Sequence, residues 1–140
     1  MSARVRTVLY WFLAFEFTVG AITKFWSGPT FFGTAYSVKF ADWGYPSWFR
    51  FVVGTIELGC AVLVAIPSRR SRFIAAATLV LVLTGAVTTH IVNHNALYES
   101  VSAPLHLLIM IVVALANWPA DWRDLLRPGI VIQRSRRTEH

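Results

Sequence analysis

Residues 8–26 read VLYWFLAFEFTVGAITKFW, an apolar run interrupted by one acid, Glu16, and one base, Lys24. An α-helix rises about 1.5 Å per residue, so about 20 such residues cross the roughly 30 Å of hydrocarbon in a bilayer. Three more runs of similar length follow: 48–66 (WFRFVVGTIELGCAVLVAI), 72–92 (RFIAAATLVLVLTGAVTTHIV) and 101–118 (VSAPLHLLIMIVVALANW). They are apolar nearly all round, as expected of helices whose outer face meets lipid. A barrel strand needs only about 10 residues, half the length of these runs. The pattern predicts an all-α protein, an integral membrane four-helix bundle with antiparallel neighbours. The first run exceeds the usual ~7–15-residue core of a signal peptide, and no small-x-small cleavage site follows it. It is read as a retained span.

The 140 residues are 56% hydrophobic and 14% charged, with a net charge of +6. Soluble domains carry about 25% charged residues, so the composition excludes an ordinary water-soluble enzyme of this size. Cys60 is the sole cysteine, which excludes an internal disulfide or a CxxC thiol oxidase. Its simplest reading is a small core residue. Of the 13 Lys and Arg residues, 10 lie at the chain ends or in one hinge: Arg4, Arg6, Arg69, Arg70, Arg72, Arg123, Arg127, Arg134, Arg136 and Arg137. Lys39 alone lies in the long connection 27–47, and residues 93–100 have no Lys or Arg. The positive-inside rule then places both termini in the cytoplasm.

The domain organisation is a membrane domain over 1–118 and a basic cytoplasmic tail over 119–140. The tail is expected to touch anionic lipid and to be partly disordered. Because the basic charge sits in these flanks, it reads as topology and lipid contact, not nucleic-acid binding. Pro67 and Ser68 open a tight hinge that makes the second and third spans neighbours. In the long connection Phe32, Tyr36, Phe40 and Trp43 recur at helical spacing, with Lys39 and Asp42 off the stripe. Two readings fit, a short interfacial helix or an ordered aromatic loop. Gly44, Tyr45 and Pro46 then turn the chain into the second span.

An ionisable group inside a span is costly and asks for a partner or a purpose. Counting along the runs puts Glu16 and Glu57 near the midplane, and Lys24, Arg50, His90 and His106 in the outer half. Arg50, Gly54 and Glu57 lie at i, i+4 and i+7 on one helix face, and Glu16, Gly20 and Lys24 step by four along another. Glycine beside a buried charge allows a neighbouring helix to come close. Pro104 removes a backbone donor within a turn of His106. These eight residues, Glu16, Gly20, Lys24, Arg50, Gly54, Glu57, His90 and His106, are the candidate ligand or proton pocket, open outward and closed below by Glu57.

Blander readings compete with each of them. Lys24 and Arg50 would snorkel to headgroups, His90 and His94 would be interfacial, and either acid would be a protonated packing group. Trp11, Trp26, Trp48 and Trp118 read as interfacial anchors. Haem held between His90 and His106 is a weak signal, and a His90–His106–Glu57 metal site sets the carboxylate deeper than the imidazoles, so no metal is assigned. No phosphate loop, nucleophile elbow or HExxH motif is present.

Gly20-Ala-Ile-Thr-Lys24-Phe25 ends the first span, and Gly44-Tyr45-Pro46 precedes Val53-Gly54-Thr55-Ile56-Glu57-Leu58-Gly59 in the second. Gly85-Ala86 and His90 follow in the third, and Pro104 opens the fourth. In this order, over roughly 6–118, the chain resembles the DoxX-like family of small four-helix membrane proteins. The resemblance implies an inner-membrane protein, with founding members associated with a quinone-linked thiosulfate oxidoreductase and others placed beside redox or detoxification partners. Its matching positions are Gly20, Lys24, Gly54, Glu57, His90 and Pro104, whose roles the family leaves open. The leading expectation is a small membrane subunit of a redox or stress-response assembly, binding a quinone-like ligand, with Lys24 or His90 donating to a carbonyl and Glu57 relaying a proton. A proton-coupled transporter using Glu16 and Glu57, and a structural scaffold without chemistry, are the alternatives. Self-association is expected from small-residue faces, and a redox protein partner from the resemblance.

Overall fold

In a computed structural model the described residues are 1–126 apart from 32 and 96, with backbone only at 97–99 and 124. Phe32 of the aromatic stripe and the tail from 127 onward, with Arg127, Arg134, Arg136 and Arg137, lie outside them. Six helices form, and there is no strand among the described residues: α1 (Ala3–Phe25), α2 (Tyr36–Asp42), α3 (Phe49–Ala65), α4 (Arg69–Val92), α5 (Leu97–Ala116) and α6 (Arg123–Leu126). The four long apolar runs fall on α1, α3, α4 and α5.

The helix ends follow from local chemistry. Ser2 and Ser68 cap α1 and α4, their hydroxyls accepting from the N–H groups of Val5 and Ser71. α2 stops where Gly44 takes a left-handed φ of +80°. Tyr45 N–H then donates to the Phe40 carbonyl, Gly44 N–H donates to Ala41, and the Tyr45 and Phe40 rings lie 5.8 Å apart. Those two hydrogen bonds and the ring contact form a Schellman stop. At the end of α4, His94 occupies the corresponding left-handed position with φ 50°, where glycine is unstrained.

α1 packs along α3, α3 on α4, and α4 on α5. All four contribute to one apolar core: Leu13 and Phe17 from α1, Ala61 and Val64 from α3, Ala76 and Leu79 from α4, Met110 from α5. The alanines let backbones approach where the larger side chains interdigitate. The outward faces are apolar too, with Phe12, Phe15, Leu81, Leu108 and Val112 each more than half exposed. So much exposed hydrocarbon is a liability in water and suits a lipid surround. α1 and α4 are each long and apolar enough to cross a membrane.

Two ends can be distinguished. The loop end carries α2 and the connections around 26–48 and 93–95. The terminal end carries the N terminus, the 66–68 hinge and the exit of α5.

Candidate functional site

Lys24 stands in the last turn of α1, and helical side chains lean toward the helix N terminus. It leans inward over Gly20, not outward to the headgroup region. Its Nζ donates to the Gly20 carbonyl at 3.2 Å and meets Glu57 Oε2 at 2.7 Å. Both residues are buried, 8% and 7% exposed. Glu57 is the central residue of α3, so the pair joins the loop end of α1 to the middle of α3. Gly54 makes the approach possible. A Cβ there would stand 2.8 Å from Phe25 Cε2 and 3.3 Å from both the Ala21 carbonyl and Lys24 Cβ. Gly20 is roomier, with Glu57 Oε2 at 3.9 Å as the nearest neighbour of a Cβ.

Arg50 also turns inward. Its Nη1 donates to the carbonyls of Lys24 and Trp26 at 2.9 and 3.3 Å, two acceptors that the end of α1 leaves without helical partners. A cation there also complements the helix dipole. Beside the pair, the Tyr36 ring of α2 has Lys24 Nζ 4.8 Å and Lys39 Nζ 5.2 Å from its centroid, both cation–π distances.

A second acid–base pair joins α1 to α5. His106 Nε2 lies 3.2 Å from Glu16 Oε2, and its Nδ1 lies 2.8 Å from the Ser102 carbonyl. A carbonyl only accepts, so Nδ1 carries a proton. One further proton then sits between Nε2 and the carboxyl, giving either a neutral pair or an ion pair. The side chains are 21% and 35% exposed, and the Phe17 ring packs edge-on against the imidazole at 5.6 Å. His106 sits at the middle of α5, level with Glu16. The depth count set it in the outer half because it began the span at 101, whereas the helix begins at Leu97.

The eight candidates therefore separate. Gly20, Lys24, Arg50, Gly54 and Glu57 meet between α1 and α3. Glu16 and His106 form their own pair, and among the described residues no hydrogen bond links the two sets. His90 stands apart at the loop end, edge-on to Trp43 at 5.4 Å. Beside it Tyr45 Oη and Thr89 Oγ1 are 2.8 Å apart, tying the turn after α2 to α4.

Residues 8–114 match the DoxX-like family. The chain belongs to the DoxX-like family. No curated protein and no solved structure matches it. DoxX-like proteins are typically membrane-associated, in keeping with the apolar outer faces and with α1 and α4.

The terminal end of this DoxX-like chain holds a polar cluster that its sequence did not reveal. Asn117 Nδ2 donates to Tyr10 Oη and to the Val113 carbonyl, both at 2.8 Å, and both side chains are buried. The Arg72 guanidinium stacks on the Tyr10 ring, 3.8 Å from its centroid. The available signal was an asparagine directly after an apolar helix, which needs a partner once buried. Among the described residues no group of three or more His, Cys, Asp and Glu side chains could hold a metal.

Proposed function

We propose that the protein is an integral inner-membrane protein in which α1, α3, α4 and α5 form an antiparallel four-span bundle with both termini cytoplasmic. In this reading it is a small membrane subunit of a redox or stress-response assembly, and it binds a lipophilic, proton-exchanging ligand of the quinone class at Glu16 and His106. The basic flanks support the orientation, and the 20-residue α5 is long enough to span. The observation that carries the ligand site is the Glu16–His106 pair. It holds one exchangeable proton at mid-helix, remains partly exposed, and lies where α1 meets α5 through side chains. A carboxyl–imidazole couple of this kind can hydrogen-bond a quinone carbonyl and pass it a proton, while a partner protein supplies the electrons. Lys24 and Glu57 have no such freedom, since both are buried and held by each other's opposite charge.

Extraction of the purified protein tests this directly. Quinone is expected in the extract, and Glu16→Gln or His106→Asn should remove it while leaving the protein folded. Extracts without quinone, together with wild-type redox behaviour of Glu16→Gln, would overturn the ligand reading. Proton-coupled efflux in liposomes that Glu16→Gln abolishes would replace it with transport.

A further inference from the structure

At the terminal end, Arg72 is held in an unusual way for a basic residue near a helix start. Nε donates to the Val64 carbonyl at 3.3 Å, and the guanidinium plane rests on the Tyr10 ring. These contacts fix the plane of the fork and leave both Nη groups without a hydrogen bond among the described residues. Tyr10 Oη accepts from Asn117, so its own proton is still available to donate. Arg69, one turn earlier on the same face of α4, is anchored by Nη2 to the Trp118 carbonyl at 3.2 Å. Among the described residues no carboxylate pairs with Arg69 or Arg72. The cluster is thus rich in oriented donors, short of acceptors, and placed at the positive end of α4.

The surroundings favour a lipid over a free anion. Phe73, Trp118 and Trp122 stack edge to face at 5.2–5.7 Å beside these arginines, with both tryptophans about half exposed. Tryptophan in this setting marks the boundary between headgroups and acyl chains. A fixed guanidinium fork matches two phosphate oxygens better than an ammonium does.

We infer that this end binds an anionic phospholipid. Its phosphate is gripped by both Nη groups of Arg72, with Arg69 beside it and Tyr10 Oη as a third donor. The site depends on the chain's lying in a membrane, but not on the quinone reading.

Native mass spectrometry of the whole protein, drawn from bilayers of phosphatidylcholine with a minority of phosphatidylglycerol, reads out the retained lipid. The wild type should retain phosphatidylglycerol selectively, and Arg72→Gln should reduce that preference by roughly tenfold or more. Arg72→Lys keeps the charge without the fork and should fall between the two, as should Tyr10→Phe. Removing an equal charge elsewhere, in Arg4→Gln, should change nothing. Equal losses in Arg4→Gln and Arg72→Gln would mean diffuse surface attraction and overturn the site. So would displacement of the lipid by inorganic phosphate, or absence of any preference in the wild type. Should Arg72→Gln fail to fold, Arg72→Lys and Tyr10→Phe carry the same test.

Discussion

α1 carries one acid and one base that meet partners across the core, Glu16 and Lys24, and their circumstances differ sharply. Lys24 closes on Glu57 in a buried contact that also uses the Gly20 carbonyl, so the ammonium meets its counter-charge within the protein. Glu16 meets an imidazole whose other nitrogen is already committed, in a setting about a third exposed. Burial and mutual satisfaction make the first pair a fixed structural joint. Partial exposure makes the second the pair assigned to exchange in the proposed function. Two turns of one helix separate the two cases, so the partner and the exposure decide the role, not the presence of an acid in the span.

The sharpest way to break this comparison is Glu57→Gln. It leaves the Lys24 ammonium buried without a counter-charge, and the expected loss is about 3–5 kcal/mol in thermal or denaturant unfolding. The double variant Lys24→Met/Glu57→Leu should recover most of it, because a packed apolar pair avoids the desolvation cost. If Glu57→Gln unfolds like wild type, the pair is no joint.

Next in size are the two glycines that the i+4 spacing had made equivalent. Gly54→Ala should cost about 1–2 kcal/mol, the low end for overpacking, because half-exposed Phe25 can swing aside while the Ala21 carbonyl cannot. Gly20→Ala should be neutral or stabilising by up to about 1 kcal/mol, since alanine is the better helix former and room exists for it. Matching unfolding curves for the two variants would remove the case for close packing at Gly54.

The smallest stability effect belongs to Glu16→Gln, below about 1 kcal/mol, as for other partly exposed pairs. Measured beside Glu57→Gln, it should be nearly silent in unfolding while altering ligand retention. A large stability loss at Glu16 would erase the distinction between the pairs.

Much of this organisation was legible before any coordinates. Run length and composition gave the long helices, and the Phe40–Gly44–Tyr45 spacing contained the stop that ends α2. Stepping by four along α1 and α3 put Lys24 and Glu57 into one candidate set, but the depth count set Lys24 in the outer half and Glu57 at the midplane, so their direct contact was not read. Other features were hidden for definite reasons. Snorkelling and inward capping use the same long side chains near a helix end, so nothing in the residues alone tells Arg50 which way to turn. The depth of His106 was misjudged because Leu97 to Ser100 mix polar and apolar residues, and a hydropathy count discards such a first turn. Tyr10, Arg72 and Asn117 each look like ordinary boundary residues, and only the folding of three helices to one end brings them into contact.

The grip of Arg50 on the carbonyls of Lys24 and Trp26 has a mechanical consequence. With the Gly54 contact and the Lys24–Glu57 joint beneath it, it fastens α1 and α3 into a single plank at three successive heights. The border of that plank with α5 is held differently, by Glu16–His106 and Tyr10–Asn117 as separate side-chain clasps. In the proposed ligand reading, that border is the side from which the partly exposed carboxyl of Glu16 would be reached, while Glu57 is buried between α1 and α3.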